Sequence, residues 1–169
     1  MGDLKEQQPG TRRAGGCAGP GPPAGSPMPA PTPFAAPPRL PDPLAVAAHC
    51  RELALLPTEH LWAVGLDRDH RVCAQVQFAG DRGAVRVRPA AILGPCLAAG
   101  AAGVVLVHNH PSGSPRPSAA DVCYTARLRD ACRIVGIALV DHVVVAAAGW
   151  SSFALAGWPG CAGPRGRRH

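Results

Sequence analysis

With 169 residues, 47% of them hydrophobic, the chain has room for one ordinary domain with a full core. No stretch approaches the roughly 20 apolar residues of a membrane span, and the polar start Met1–Gln8 is followed by no apolar run, so neither a membrane nor an export signal is expected. The net charge of +6 is unevenly spread: residues 44–158 carry 10 basic and 8 acidic side chains, whereas residues 159–169 carry three arginines and no acid, so the folded part lacks the basic face of a dedicated nucleic-acid binder.

Residues 1–43 hold 12 of the 20 prolines and 7 of the 20 glycines, with few aliphatic side chains to bury, and are predicted to be a disordered Pro/Gly-rich arm. The domain is expected over 44–158, followed by a basic flexible tail over 159–169. Leu44–Leu56 reads as a helix broken at Pro57. Glu59–Leu66 is a largely apolar strand, Asp67–His70 a polar turn, and Arg71–Phe78 a second strand with Val72, Ala74, Val76 and Phe78 on one face, which together make a hairpin. Gly80–Gly83 is a loop, Ala84–Arg88 a brief strand, and Pro89–Ala102 a helix whose first turn suits proline.

Gly103–Val107 is a continuous β-branched run and reads as a buried strand. A Pro/Gly loop leads to a helix from Ser118 to Val135, with apolar positions at Val122, Cys123, Ala126, Ala131, Cys132 and Val135, Leu128 fitting less well, and Gly136 as its stop. Ile137–Val140 and His142–Ala147 are two further strands, and Gly149–Phe153 begins the exit. The order predicts a single α/β domain, a mixed β-sheet flanked by helices.

Seven cysteines without a Cys-x-x-Cys pair argue against a zinc ribbon or a thioredoxin-type site. They are expected as reduced thiols in a cytoplasmic protein, with Cys73 and Cys96 packing as small apolar residues.

The chemistry concentrates at His108-Asn109-His110-Pro111. Residues two apart at the end of a strand point the same way, so His108 and His110 share a face. Asp121, in the first turn of the following helix, can reach back to them. Two imidazoles and one carboxylate fill three positions of a tetrahedral zinc and leave a fourth for water, the arrangement of a hydrolytic site. Ser118-x-x-Asp121 also fits a capping box, and Asp121 can do both jobs. His49, His60, His70 and His169 have no partner at ligand spacing. For Asp141 and His142 a fold-supporting hydrogen bond is the expectation, with support of a ligand imidazole the alternative for His142.

These residues resemble the RadC-like branch of the JAB/MPN (JAMM) metalloprotease superfamily. His108-x-His110-Pro111, then Ser118 and Asp121, follow its metal motif without a gap, and His108–Gly113 has the wording of the RadC branch. Asp141–Val145, Ser152-Phe153, Gly157-Trp158 and Phe78–Gly80 extend the likeness over residues 44–158. The resemblance implies a JAB/MPN-like fold and one zinc ion held by His108, His110 and Asp121. It also implies hydrolysis of a peptide, isopeptide or other amide bond, with Glu59 as acid/base and Ser118 stabilising the oxyanion. The implied partner is a peptide or protein substrate. A non-catalytic JAB/MPN scaffold, or a DNA-repair-associated RadC-like binding protein, is the alternative. The branch's usual Arg-Glu after the helix-starting proline is Ala90-Ala91 here, a departure that bears on substrate and partners more than on the metal.

Overall fold

The computed structural model describes residues 36–80 and 87–160. Its elements are α1 (Pro43–His49), a 3-10 turn (Arg51–Leu55), β1 (His60–Leu66), β2 (Val72–Ala79), α2 (Pro89–Ala98), β3 (Gly103–Asn109), α3 (Ala119–Val135), β4 (Ala138–Ala146) and β5 (Gly149–Ser152). The five strands form one sheet in the order β2-β1-β3-β4-β5. All pairings are antiparallel except β3 with β4, which run parallel because α3 crosses over between them. The expected mixed sheet flanked by helices is therefore present.

Alternation along the strands sends side chains to two cores. Val64, Leu66, Val105, Val107, Val143 and Val145 pack against Val46, Ala47, Cys50 and Leu53 of α1 and the 3-10 turn. Leu61, Ala63, Val104, Leu106 and Leu139 pack on the other face against Ile92, Leu93 and Cys96 of α2 and Leu128 and Cys132 of α3. His108 continues the parity of Val104 and Leu106, so it faces α3. Asn109 continues that of Val105 and Val107 and faces the link between the 3-10 turn and β1.

Several expectations shift. Of the segment read as an arm, residues 1–35 lie outside the described part, but the last eight belong to the domain: Leu40 is buried, Arg39 bridges Arg71, and Asp42 caps α1 by accepting from the Ala45 N–H. Of the tail, residues 161–169 lie outside the described part. The first helix is shorter than Leu44–Leu56. It ends at Cys50, whose burial at 0% exposure turns the chain inward, and a 3-10 turn carries it to Leu56, extended as a residue before proline must be. In β2 a bulge sets Gly65 opposite Ala74 and Leu66 opposite Val72. The extra residue moves Val72 into the α1 core while Ala74 and Phe78 stay with the other, and it leaves Cys73 exposed instead of packed. The brief strand at Ala84–Arg88 falls mostly outside the described residues, and Val87 and Arg88 are coil. The second helix stops at Ala98 instead of Ala102, followed by Gly100 at φ +71°. Cys50, Cys73, Cys96 and Cys132 are free thiols, the first, third and fourth of them buried.

The two strands expected around Asp141 are a single β4, bulged where Val104 pairs Leu139 and Val105 pairs Asp141. A carboxylate tolerates this central position because its acceptors are used. Asp141 Oδ1 accepts from the backbone N–H of His142 at 2.7 Å and of Ala154 at 2.9 Å, and Oδ2 accepts from the Ser152 hydroxyl at 2.6 Å. This pins the exit turn, including Phe153, whose ring stacks on His142 at 4.8 Å between centroids.

Asp141→Ala strands three donors, two of them buried, so it is expected to cost about 2–4 kcal/mol, read as a lower urea midpoint at unchanged m-value. A midpoint within error of the parent would contradict this account of the exit turn.

Candidate metal centre

The strand parity and the capping box bring three side chains together. Ser118 N-caps α3: its Oγ accepts from the Asp121 N–H at 3.1 Å, and its own N–H donates to Asp121 Oδ2 at 2.7 Å. That exchange fixes the carboxylate at the start of the helix, on the stripe that continues through the buried Thr125, Leu128 and Cys132 and faces β3. His108 Nε2 lies 3.4 Å from Asp121 Oδ1, His110 Nε2 lies 3.3 Å from Oδ2, and the two Nε2 atoms are 2.8 Å apart. His110 sits just past the end of β3, yet it is held like a strand residue. Its N–H donates to the Val145 carbonyl at 3.0 Å, and Nδ1 donates to the Ser114 carbonyl at 2.9 Å.

The hydrogen bonds behind the imidazoles determine which nitrogen carries the proton. Thr125 Oγ1 stands 2.6 Å from the Asp121 carbonyl oxygen, and two oxygens come that close only when the hydroxyl donates. Thr125 Oγ1 must then accept from His142 Nδ1, at 2.6 Å. His142 Nε2 is left as the acceptor for His108 Nδ1–H, at 2.8 Å. His108 therefore presents a bare Nε2 lone pair, and His110, donating from Nδ1, presents another. Burial, with the neighbouring His108, holds the His142 pKa well below the ordinary histidine range, so it stays neutral. Burial alone would raise the pKa of Asp121. The hydrogen bond and charge of His108 in its protonated form, whose place a cation at the site would take when the ring is neutral, and the two bonds from Ser118 outweigh it, and hold the carboxyl well below the ordinary carboxylate range.

Three acceptors thus converge without a donor among them, and this donor set fits a divalent cation. Ligands held tetrahedrally by zinc at about 2.0–2.1 Å lie roughly 3.3 Å apart, close to the imidazole–carboxylate spacings found here. His108, His110 and Asp121 are the metal-competent group of three among the described residues. Of the other sequence candidates, Asp141 has the fold-supporting part expected of it. His142 does more, since it orients the imidazole of His108, and Thr125 does so in turn through His142. Thr125 was not legible as functional because a threonine inside a helix carries no signal of its own.

Two clefts meet at the centre. One, of about 610 Å³, runs along α3 past Glu59, Leu61, His108, Asp121, Tyr124 and Arg127. The other, of about 680 Å³, lies under the Pro/Gly loop past Glu59, His110, Ser114, Arg116, Ser118 and Asp121. Glu59, Ala120 and Asp121 border both. Glu59, one residue before β1 and not within it as expected, lines the same cleft as Leu61 and His108.

The sequence model of the RadC-like JAB domain matches residues 40–158. The chain belongs to this family. This RadC-like JAB protein is similar to a UPF0758 protein of Thermotoga maritima, 36% identical over 118 residues, 69% of this chain and 53% of that protein. It also resembles UPF0758 proteins of Burkholderia mallei strain SAVP1, 45% identical over 103 residues (60% of this chain, 37% of the relative), and of Geobacter sulfurreducens, 38% identical over 100 residues (59% and 44%). The chain therefore spans about half or less of the length of these relatives. No described helix of the RadC-like protein is long and apolar enough to cross a membrane.

Thr125→Val keeps the packing volume but removes both partners' hydrogen bonds, freeing His142 and through it His108. Zinc affinity measured by chelator competition is expected to fall about 10–100-fold, with the fold retained. Affinity equal to the parent's would break the chain of tautomers argued above.

Proposed function

We propose that this protein is a zinc-dependent hydrolase of the JAMM type that cleaves a peptide, isopeptide or other amide bond. The observation that carries the reading is the convergence of two bare imidazole Nε2 atoms and an ionised carboxylate at the junction of two clefts. His108, His110 and Asp121 would hold the ion, which when bound polarises a carbonyl and acidifies water. Three protein ligands are the complement of a catalytic zinc and not of a closed structural one.

Glu59 takes the proton of the attacking water and delivers it to the leaving amine. Its place on the rim of both clefts suits that task, because the two halves of an amide substrate would lie on either side of it. Ser118 donates its hydroxyl to the oxyanion. Its oxygen already accepts from the Asp121 N–H, so the O–H is left to point outward, and the same capping bond holds it still. Two clefts that share Glu59, Ala120 and Asp121 would leave room for substrate along both, which suits a peptide or protein better than a small amide.

Purified, zinc-loaded protein screened against peptide and isopeptide libraries is expected to hydrolyse a subset. Glu59→Gln should retain zinc and lose about 10²–10⁴-fold in kcat. Ser118→Ala should lose about 10²–10³-fold in kcat, alongside a stability loss of about 1 kcal/mol for the missing cap. Zinc bound at the three ligands with no hydrolysis of any amide would favour a non-catalytic scaffold. Full activity in Glu59→Gln would remove that residue from the mechanism.

A further inference from the structure

We propose that Asn109 is the positioning residue for Glu59, tying the segment that carries this carboxylate to the strand that carries the imidazoles. The inference rests on the proposed role of Glu59 as proton carrier.

Asn109 lies between the two ligand histidines, is 0% exposed and points to the opposite face of β3. The ladder between β1 and β3 stops at Leu61 opposite His108, so the next rung, His60 against Asn109, has no backbone pairing. The side-chain amide supplies it. Oδ1 accepts from the His60 N–H at 2.7 Å, and Nδ2 donates to the carbonyls of Leu56 at 3.1 Å and Thr58 at 3.0 Å. Both N–H groups and the oxygen are thereby used, which identifies the amide orientation.

Thr58 and His60 are the chain neighbours of Glu59. Its own carbonyl accepts from the Gly80 N–H at 2.8 Å, on the β2 side. The backbone at Glu59 is thus held from both flanks, although Leu56–Glu59 belongs to no helix or strand. Closely related side chains would not serve in its place. Aspartate has no donor for the two carbonyls, serine is too short to span three backbone groups, and an apolar residue would bury all three unpaired. The strand end that aims His108 at α3 therefore aims Asn109 at the entry to β1, and one rigid unit sets both the ligands and the carboxylate.

The test uses full-length protein loaded with Co²⁺, whose visible bands report the field around the ion, in the parent, Glu59→Gln, Asn109→Ala and the double variant. Glu59→Gln is expected to shift the bands. Asn109→Ala is expected to shift them in the same direction while binding one Co²⁺ per chain, and to add little to Glu59→Gln. Bands unchanged in Asn109→Ala, or shifted equally with and without Glu59, would overturn the proposal, because the residue would then act on the ligands or on nothing. Should Asn109→Ala melt without cooperativity, Asn109→Gln keeps the amide and displaces it by one methylene, and the same pattern is required of it. A silent Glu59→Gln brings down the role of Glu59 and this inference together. A responsive Glu59→Gln beside a silent Asn109 variant brings down the inference alone.

Discussion

Three lone-pair-bearing atoms turned toward one another, two imidazole nitrogens and a carboxylate, are the constraint around which this domain is organised. In water each would be solvated separately. Here His108 is buried at 2% exposure, and backbone and side-chain bonds on the far side of each ring oblige the near nitrogen to face its neighbours. The two Nε2 atoms lie 2.8 Å apart and each is within 3.4 Å of a different oxygen of Asp121, a crowding of lone pairs that a cation would relieve. Much of the fold is concerned with keeping these atoms where they would not go unaided: the buried strand β3, the capping box that opens α3, the parallel β4 that delivers His142, and the exit turn that stacks Phe153 behind it.

The support runs through the protein in two directions from β3. Toward α3 it passes from His108 through His142 to Thr125 and returns to the backbone of Asp121, a closed circuit in which each donor has one acceptor. Toward the α1 face it passes through Asn109 to the segment bearing Glu59. Period-two alternation makes this economy available: of two consecutive residues on β3, His108 turns to α3 and Asn109 to the backbone that leads into β1.

How much of this the sequence disclosed depended on whether the signal was local. His108, His110 and Asp121 stand at fixed spacing around a strand end and a helix start, so chain geometry alone brings them together. The long apolar runs of β1 and β3 and the stop at Gly136, which takes a left-handed φ of +76°, were equally legible. The bulges at Cys73 and Val140 were not, because one extra residue reverses facing without changing composition. Asp141 looked like a break between strands, since a lone carboxylate reads as exposed until its three donors, contributed by residues 142, 152 and 154, are in view. On α3 the apolar pattern suggested Val135 as a core position and placed Leu128 poorly. Instead Leu128 is fully buried and Val135 is 45% exposed, because the buried stripe is continued by the polar Asp121 and Thr125 toward the metal centre and not by aliphatic residues.

The most direct measurement is X-ray absorption at the zinc edge on protein loaded with one equivalent of zinc, compared with Asp121→Ala. The expected result is a first shell of nitrogen and oxygen only, at about 2.0–2.1 Å, with an imidazole scattering pattern, and loss of that site in the variant. A shell containing sulfur, or zinc uptake indifferent to Asp121, would place the ion elsewhere and contradict the convergence of His108, His110 and Asp121 as its site.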